Sequence, residues 1–216
     1  MRHASEPQVF RDRLDAAQQL AQRLQSYHGQ RPLVLAIPRG AAPMARTLAQ
    51  ALQGDFDVVL VRKLRAPCQP ELAIGSVDES GWVYLPPHAA GTGAGADYVA
   101  AEKDRQLEVI RHRRAQYTPV RPPLDPAGRT VIVVDDGLAT GATMVAALHS
   151  LRQRHPARLV CAVPVASPQA LALVSPLADE VLCLQAPPHF QAVGQFYQDF
   201  AQVEDDEVVA LLKSRA

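Results

Sequence analysis

The sequence predicts an α/β protein built on a doubly wound, mainly parallel β-sheet, and three observations carry that prediction. Short apolar runs rich in β-branched residues, such as 33–37, 131–134 and 159–165, are typical of strands buried on both faces. Segments with helical character alternate with these runs, as they do in β–α–β units. The chain has 216 residues, which is enough for a single domain with a substantial core.

Composition and charge narrow the class of protein. Hydrophobic residues make up 48% and charged residues 20% of the chain, which is ordinary for a globular protein. The formal net charge is zero and no long basic block occurs, so nucleic acid is not an expected partner. Cys68, Cys161 and Cys183 are far apart and fit neither a zinc motif nor a disulfide framework. Because neither a signal peptide nor an apolar run of about 20 residues is present, we expect a cytoplasmic protein without membrane contact.

The first elements alternate between helix and strand. Residues 10–28 form an N-terminal amphipathic helix, because apolar residues recur at spacings of three and four before Gly29. We assign this helix a packing role. The apolar run 33–37 is a strand, and residues 41–52 are the helix after it. Residues 57–61 are predicted as the next strand of the parallel sheet, with a basic pair at its end.

The middle of the chain is more polar. Residues 72–78 and 82–85 are predicted as two short strands around a turn. Residues 86–95 are glycine-rich and are predicted as a flexible loop. Residues 97–116 are a charged helix, in which acidic and basic side chains alternate at spacings of three. Residues 121–126 contain three prolines and form a rigid linker into the next strand.

The last third of the chain returns to alternating helices and strands. A helix is predicted over 144–154, a strand over 159–165, a helix over 169–174 and a strand over 181–184. The closing helix over 204–216 has acidic residues first and basic residues last, which complements its dipole.

The most informative stretch lies between the central strand and the helix after it. Asp135 and Asp136 directly follow the buried strand 131–134, and an unpaired buried carboxylate would be costly there, so a binding role is favoured. The loop that follows is rich in Gly and Thr and ends at Thr143. Its N–H groups, its hydroxyls and the helix N-terminus can hold a phosphate, while the carboxylates can accept hydrogen bonds from a vicinal diol.

Other nucleotide-binding motifs do not fit. A Walker A loop needs a Gly-Lys pair that is missing here, and Gly137 and Gly141 lack the spacing of a dinucleotide fingerprint. The glycines of 91–95 do not directly follow a strand. The remaining alternative is an Asp-rich turn without a ligand.

The stretch resembles the phosphoribosyl-diphosphate (PRPP) signature of the type I phosphoribosyltransferases. The fixed positions of that signature are met by Asp135, Asp136, Thr140, Gly141 and Thr143. The resemblance implies one phosphoribosyltransferase-like domain over 1–216, with a hood at 185–200 and a mobile lid at 86–119. It also implies a homodimer and Mg²⁺ as cofactor, held mainly by PRPP near the two aspartates.

The resemblance also implies roles for individual residues. Asp135 and Asp136 would be catalytic, positioning the ribose hydroxyls and favouring a cation-like transition state. Ribose and 5-phosphate would be held by Asp135, Asp136, Gly137, Ala139, Thr140, Gly141, Ala142 and Thr143. The diphosphate would meet Pro38, Arg39 and Gly40, with a cis Pro38–Arg39 peptide, and Lys63. The alternatives are a plain turn at 38–40 and a solvated charge at Lys63.

The hood and the lid leave two interpretations open. The aromatic-rich segment 186–200 loosely resembles the hood of purine phosphoribosyltransferases, which implies that Phe190 and Val193 contact the base, with Phe196 and Phe200 in the core. The alternative is a hydrophobic plug over the sheet. Similarly, the arginines of the predicted lid could touch diphosphate or form a solvated helix face.

The function implied is transfer of the phosphoribosyl group from PRPP to a nitrogenous base, with purines among the candidates. Ala139 replaces the Asp that hypoxanthine-type members use as a base, so the acceptor stays open. The alternative is a non-catalytic regulatory protein that senses PRPP or a nucleotide. The presence of Arg39 and Lys63 favours the enzyme.

Overall fold

The computed structural model describes residues 9–67, 69 and 72–214. A parallel sheet of five strands has the order β2-β1-β6-β7-β8, and an antiparallel sheet of three strands has the order β3-β4-β5. The strands are β1 (Leu33–Ala36), β2 (Asp55–Val58), β3 (Val61–Arg65), β4 (Ala73–Asp78), β5 (Val83–Tyr84), β6 (Thr130–Val134), β7 (Arg158–Val165) and β8 (Glu180–Gln185). The predicted α/β fold with a mainly parallel sheet is confirmed.

Helices cover both faces of the parallel sheet, as expected for a doubly wound fold, and a further long helix packs on the small sheet. They are α1 (Arg13–Arg23), α2 (Ala42–Leu52), α3 (Ala96–Tyr117), α4 (Ala142–Arg152), α5 (Pro168–Val174) and α6 (Asp205–Lys213). On the central strand β6, Ile132 and Val134 belong to the core beneath α1 and α2, whereas Val131 and Val133 belong to the core beneath α4. Burial on both faces explains why β6 is an uninterrupted apolar run.

One predicted strand was wrong. The run 57–61 is divided between two sheets, because β2 ends at Val58 and β3 begins at Val61. The basic pair therefore lies inside β3, a strand of the antiparallel sheet, and not at the end of a parallel strand. β4 and β5 form the predicted hairpin. Within the predicted loop 86–95, a 3₁₀ helix spans Pro87–Thr92.

The long helix α3 packs along β3 and against α6. Its inner face buries Ile110 and Tyr117, together with the polar side chains of Glu102 and Gln106. The helix therefore packs on both the small sheet and α6. In the described part of the chain, no helix is both long enough and apolar enough to span a bilayer. Cys161 and Cys183 are free thiols, and Cys68 lies outside the described residues.

Candidate active site

The loops after β1 and β6 meet at one edge of the parallel sheet, since neighbouring parallel strands end on the same side. Together with β3 and a segment near residues 193–203, these loops surround a cavity of about 510 Å³. The loop after β1 contains Pro38, Arg39 and Gly40, and the loop after β6 runs from Asp135 to Thr143. The two stretches that the sequence singled out thus contribute to one site.

The loop after β6 is held by hydrogen bonds at several points. The side chain of Asp135 accepts the N–H of Asp136 at 2.9 Å, and the Ser167 hydroxyl donates to the carbonyl of Ala139 at 2.7 Å. Gly141 adopts a left-handed conformation with φ of 77°, which favours glycine, and caps α4. The N–H of Ala142, at the start of α4, donates to the hydroxyl of Thr140 at 3.4 Å, and helix N-termini are favourable positions for anions.

Arg13, the first residue of α1, joins three parts of the site. Its Nε and Nη2 donate to Oδ2 of Asp136 at 3.1 and 2.9 Å, and its Nη1 donates to the carbonyl of Ala201 at 2.6 Å. Its guanidinium carbon lies 3.9 Å from the centre of the Phe200 ring. A Cβ at Gly40 would stand 2.3 Å from Oδ2 of Asp136, so glycine is required for this approach. The prediction that α1 has only a packing role was wrong.

The two aspartates lie in an environment that disfavours their charge. Burial raises the pKa of Asp135 well above its usual value, and the adjacent Asp136 raises it further. Burial also raises the pKa of Asp136, although the Arg13 guanidinium opposes that rise. Lys63 lowers the pKa of both carboxyl groups through its charge. Hydroxyl donors or a cation brought by a ligand would therefore stabilise the ionised pair.

The carboxylates have the chemistry that suits Mg²⁺. This ion takes oxygen ligands, typically one or two carboxylates together with phosphates and waters. Asp136 is paired with Arg13, whereas Asp135 has no ion pair among the described residues. No cluster of three or more metal-binding side chains occurs within 9–67, 69 and 72–214. The carboxylate oxygens of Asp135 are donors of the type that Mg²⁺ accepts.

Arg39 lines the cavity, but its side chain is engaged with α6. The peptide between Pro38 and Arg39 is cis, as the resemblance implied. Nη1 of Arg39 donates to Oε2 of Glu204 at 2.8 Å and to Oδ2 of Asp205 at 3.4 Å. Asp205 also accepts the hydroxyl of Tyr117 at 2.6 Å. The loop after β1 is thereby linked to α6 and, through Tyr117, to α3.

The strand β3 contributes a basic wall. Arg62, Lys63 and Arg65 all line the cavity. Nε of Arg62 donates to the side chain of Gln106 at 3.0 Å, whereas Lys63 and Arg65 are exposed. Lys63 therefore reaches the site from the antiparallel sheet and not, as predicted, from the end of a parallel strand.

The aromatic segment is divided between core and cavity. Val193 lines the cavity, but Phe190 does not and instead packs on Phe196, with ring centroids 5.3 Å apart. Phe196 is buried, as expected. Phe200 was predicted to be core but is 37% exposed and lines the cavity. The hydroxyl of Tyr197 donates to the carbonyl of Asp136 at 2.7 Å, which fixes this segment against the central loop.

Most residues singled out from the sequence line the cavity: Pro38, Arg39, Gly40, Lys63, Asp135, Asp136, Gly137, Ala139, Thr140, Gly141, Thr143 and Val193. Ala142 is buried at the start of α4 and Phe190 lies outside. None of the residues that line the cavity comes from the predicted lid at 86–119. Sequence reasoning missed Arg13, Arg65, Phe200 and Gln202. Arg65 was missed because the strand predicted from the sequence ended at residue 61, whereas β3 continues to Arg65.

Comparison with known proteins agrees with this geometry. The model of the phosphoribosyl transferase domain family matches residues 9–201. A Mycobacterium tuberculosis protein, whose name provisionally assigns it to the phosphoribosyl transferases, is 42% identical over 205 residues, which are 94% of this chain and 46% of that protein. The chain thus spans about half the length of this curated relative.

Two further matches extend the comparison. A uracil phosphoribosyltransferase of Natronomonas pharaonis is 38% identical over 137 residues, covering 62% of this chain and 55% of that protein. A crystal structure of a Thermus thermophilus protein matches with a TM-score of 0.79 and 45% identity, over 95% of this chain and 98% of that one. From the family match, the relatives and the shared fold, we conclude that this chain belongs to the phosphoribosyl transferase domain family.

Proposed function

We propose that this chain transfers the 5-phosphoribosyl group from PRPP to a nitrogenous base and releases diphosphate. The observation that carries the proposal is the arrangement of the cavity. A phosphate-binding loop with two carboxylates lies at the end of β6, and a basic strand, β3, borders the same space. PRPP has a phosphate at one end, a vicinal diol in the middle and a diphosphate at the other end. The loop, the carboxylates and the basic side chains that line the cavity offer partners for these three groups.

The reaction exchanges one bond at C1 of the ribose. The bond from C1 to the diphosphate oxygen breaks, and the oxygen leaves with the electron pair. A ring nitrogen of the base forms the new bond to C1, and its proton is accepted by the released diphosphate. Asp135 and Asp136 accept hydrogen bonds from the ribose hydroxyls, and their negative charge stabilises the cation-like sugar. The loop over 137–143 holds the 5-phosphate, so positioning supplies much of the catalysis.

Mg²⁺, held by the phosphates and Asp135, would neutralise charge on the leaving diphosphate. Exclusion of water from the cavity would protect the cation-like sugar from hydrolysis. Val193 and Phe200 line the cavity and give it apolar surface, which disfavours water. At Ala139 the side chain cannot accept a proton. No side chain at this position can therefore take a proton from the incoming base. The experiment below determines which base accepts the phosphoribosyl group.

The test is diphosphate release from PRPP and Mg²⁺ in the presence of single purines, pyrimidines and simple amines. We expect release with one acceptor, and we expect Asp135→Asn to lower the rate by at least about a hundredfold, because charge stabilisation of the transition state is lost. Asp104→Asn is the matched control, since Asp104 is an exposed carboxylate on α3 that does not line the cavity.

The regulatory alternative predicts a different result. PRPP would bind in a calorimeter, but no acceptor in the panel would cause release of diphosphate. Absence of both binding and release would contradict the enzyme and the sensor together. A homodimer and a cytoplasmic location also remain proposals, and sedimentation analysis of the purified chain tests the first of them.

A further inference from the structure

The guanidinium group of Arg13 has three different partners at the cavity. Its Nε and Nη2 donate to Oδ2 of Asp136 at 3.1 and 2.9 Å. Its Nη1 donates to the carbonyl of Ala201 at 2.6 Å. Its central carbon lies 3.9 Å from the centre of the Phe200 ring, a distance at which a cation–π contact forms. A planar, rigid group with these three contacts is held in one orientation.

The start of α1, which carries Arg13, is itself joined to the segment after β8. Phe10 is fully buried, its N–H donates to the carbonyl of Phe196, and its carbonyl accepts the N–H of Gln198, both at 2.8 Å. The side chain of Asp12 caps α1 by accepting a backbone N–H of the first turn at 2.8 Å. Arg13 therefore reaches the cavity from a supported backbone.

Asp136 is held through its side chain and through its backbone. The Tyr197 hydroxyl donates to its carbonyl at 2.7 Å. Gly40 lies so close that a Cβ there would stand 2.3 Å from Oδ2 of Asp136 and 3.1 Å from Nη2 of Arg13. Both arginine donors contact Oδ2, so Oδ1 can accept a hydroxyl from a ligand without displacing Arg13.

The burial of this ion pair favours an orienting role over a stabilising one. The side chain of Arg13 is 12% exposed and that of Asp136 is 17% exposed. Because both charges lose most of their water, a pair buried to this extent stabilises a fold little more than apolar side chains of the same volume would. Its position beside a ligand cavity is explained if the arginine fixes the direction of the carboxylate.

We propose that Arg13 is a positioning residue for the sugar of the ligand. It holds Asp136 so that Oδ1 accepts a ribose hydroxyl, and it fixes that carboxylate relative to Phe200 and Ala201. The inference rests on the proposed function and deepens it, because it assigns a residue of α1 to the sugar subsite. A ligand with a ribose diol should therefore depend on Arg13, whereas a phosphate without a diol should depend mainly on the loop over 137–143.

Calorimetric binding of three probes tests the inference without knowledge of the acceptor base. The probes are ribose 5-phosphate, PRPP with Mg²⁺, and inorganic phosphate, which lacks the diol. We expect Arg13→Gln to weaken ribose 5-phosphate and PRPP about tenfold or more, as for loss of a hydrogen bond to a charged group, and inorganic phosphate by less than about threefold. Arg13→Lys should recover part of the loss, because it restores the charge but not the fork.

A double-mutant cycle measures whether Arg13 acts through Asp136. Asp136→Asn should also weaken ribose 5-phosphate about tenfold, because the hydroxyl loses a charged acceptor. Adding Arg13→Gln to Asp136→Asn should then change the affinity by less than about threefold, because the carboxylate that Arg13 orients is already gone. A residue that only supports the fold would weaken ribose 5-phosphate by the same factor in both backgrounds.

The matched control is Arg23→Gln, which removes the same charge from the same helix. Arg23 is exposed at the end of α1 and does not line the cavity, so all three probes should bind within about twofold of wild type. Arg13→Gln should lower the melting temperature, because it leaves the carboxylate of Asp136 without its arginine. Arg13→Lys keeps a cation at this position and decides the test if Arg13→Gln does not fold.

The outcomes separate this inference from the proposed function. If the wild type binds PRPP and ribose 5-phosphate and a folded Arg13 variant binds them as tightly, the inference is overturned and the function stands. Equal losses for ribose 5-phosphate and inorganic phosphate, or equal losses in both backgrounds of the cycle, also overturn it. If the wild type binds inorganic phosphate but neither PRPP nor ribose 5-phosphate, the proposed function fails and the inference fails with it.

Discussion

The parallel sheet and the antiparallel sheet differ in what they bury and in what they present to the cavity. The central strand β6 is buried on both faces and ends in two carboxylates. The edge strand β3 buries Val61 and Leu64 and presents Lys63 and Arg65 to the cavity. The acidic half of the site therefore follows a buried central strand, whereas the basic half lies on a partly exposed edge strand. Substitutions in the buried core should therefore mainly lower the free energy of unfolding, whereas substitutions at the cavity should mainly weaken ligand binding.

The largest expected effect is on the core of the parallel sheet. Val133→Ala removes a fully buried side chain from β6 and should cost about 2–3 kcal/mol in free energy of unfolding, from lost burial and a cavity. Val83→Ala makes the same change in the two-residue strand β5, where Val83 is half-buried, and should cost under about 1 kcal/mol. Urea unfolding midpoints measure both. Equal losses of unfolding free energy would mean that the two sheets do not differ in how strongly these valines stabilise the fold.

A smaller effect, on binding, is expected where the loops of the parallel sheet meet. Gly40→Ala should weaken PRPP binding about tenfold or more, because the new methyl group displaces the carboxylate of Asp136 from Arg13. Gly91→Ala is the control, since no atom lies within 4 Å of a Cβ at that position. Calorimetric titration with PRPP and Mg²⁺ distinguishes the two. Wild-type affinity in Gly40→Ala would mean that this close contact is not needed for binding.

The smallest effect concerns Asp205, which connects the two regions. Burial raises its pKa, but the Tyr117 hydroxyl and the guanidinium groups of Arg113 and Arg39 outweigh that effect, so the pKa lies below the usual 3.8. A lowered pKa means that this stabilisation is present above pH 3.8 and is lost as the pH falls through the folded-state pKa. Near neutral pH, Asp205→Asn should cost about 1 kcal/mol, because Asp205 is partly exposed to solvent.

Urea unfolding as a function of pH provides the measurement. The difference between Asp205→Asn and the wild type should shrink as the pH falls below 3.8. Asp206→Asn is the control, because Asp206 is an exposed acid in the same helical turn. A difference that stays constant over this range, or an equal loss in the control, would mean that the carboxylate charge at Asp205 does not stabilise the fold.

Sequence patterns succeeded where a segment has one structural environment along its whole length. The run 131–134 is buried on both faces, so its apolar character alone indicated a central parallel strand. The prediction of a single strand over 57–61 was wrong because the apolar residues continue through the junction between two sheets. No change in polarity marks the point where β2 ends at Val58 and β3 begins at Val61.

Within the site, the residues found from sequence are those close together in the chain. The loop from Asp135 to Thr143 is one local structure, in which a strand end, a glycine turn and a helix start fix each other. Arg13 precedes Asp136 by 123 residues, and nothing in the pattern of α1 indicates this contact. Phe200 was assigned to the core because it is apolar, yet its exposure depends on how the segment after β8 crosses the cavity.

The sequence by itself determined the alternating architecture, the Gly- and Thr-rich loop after β6 and the pair of carboxylates, because hydrophobic periodicity and turn chemistry act over a few neighbouring residues. Only the tertiary structure decided which cations pair with which protein carboxylates. Arg39 and Arg65 are both basic residues near predicted strands. Arg39 is paired with Glu204, whereas no residue of the described ranges forms an ion pair with Arg65. That difference depends on contacts between distant segments, whose geometry is set by packing and is not written in local sequence.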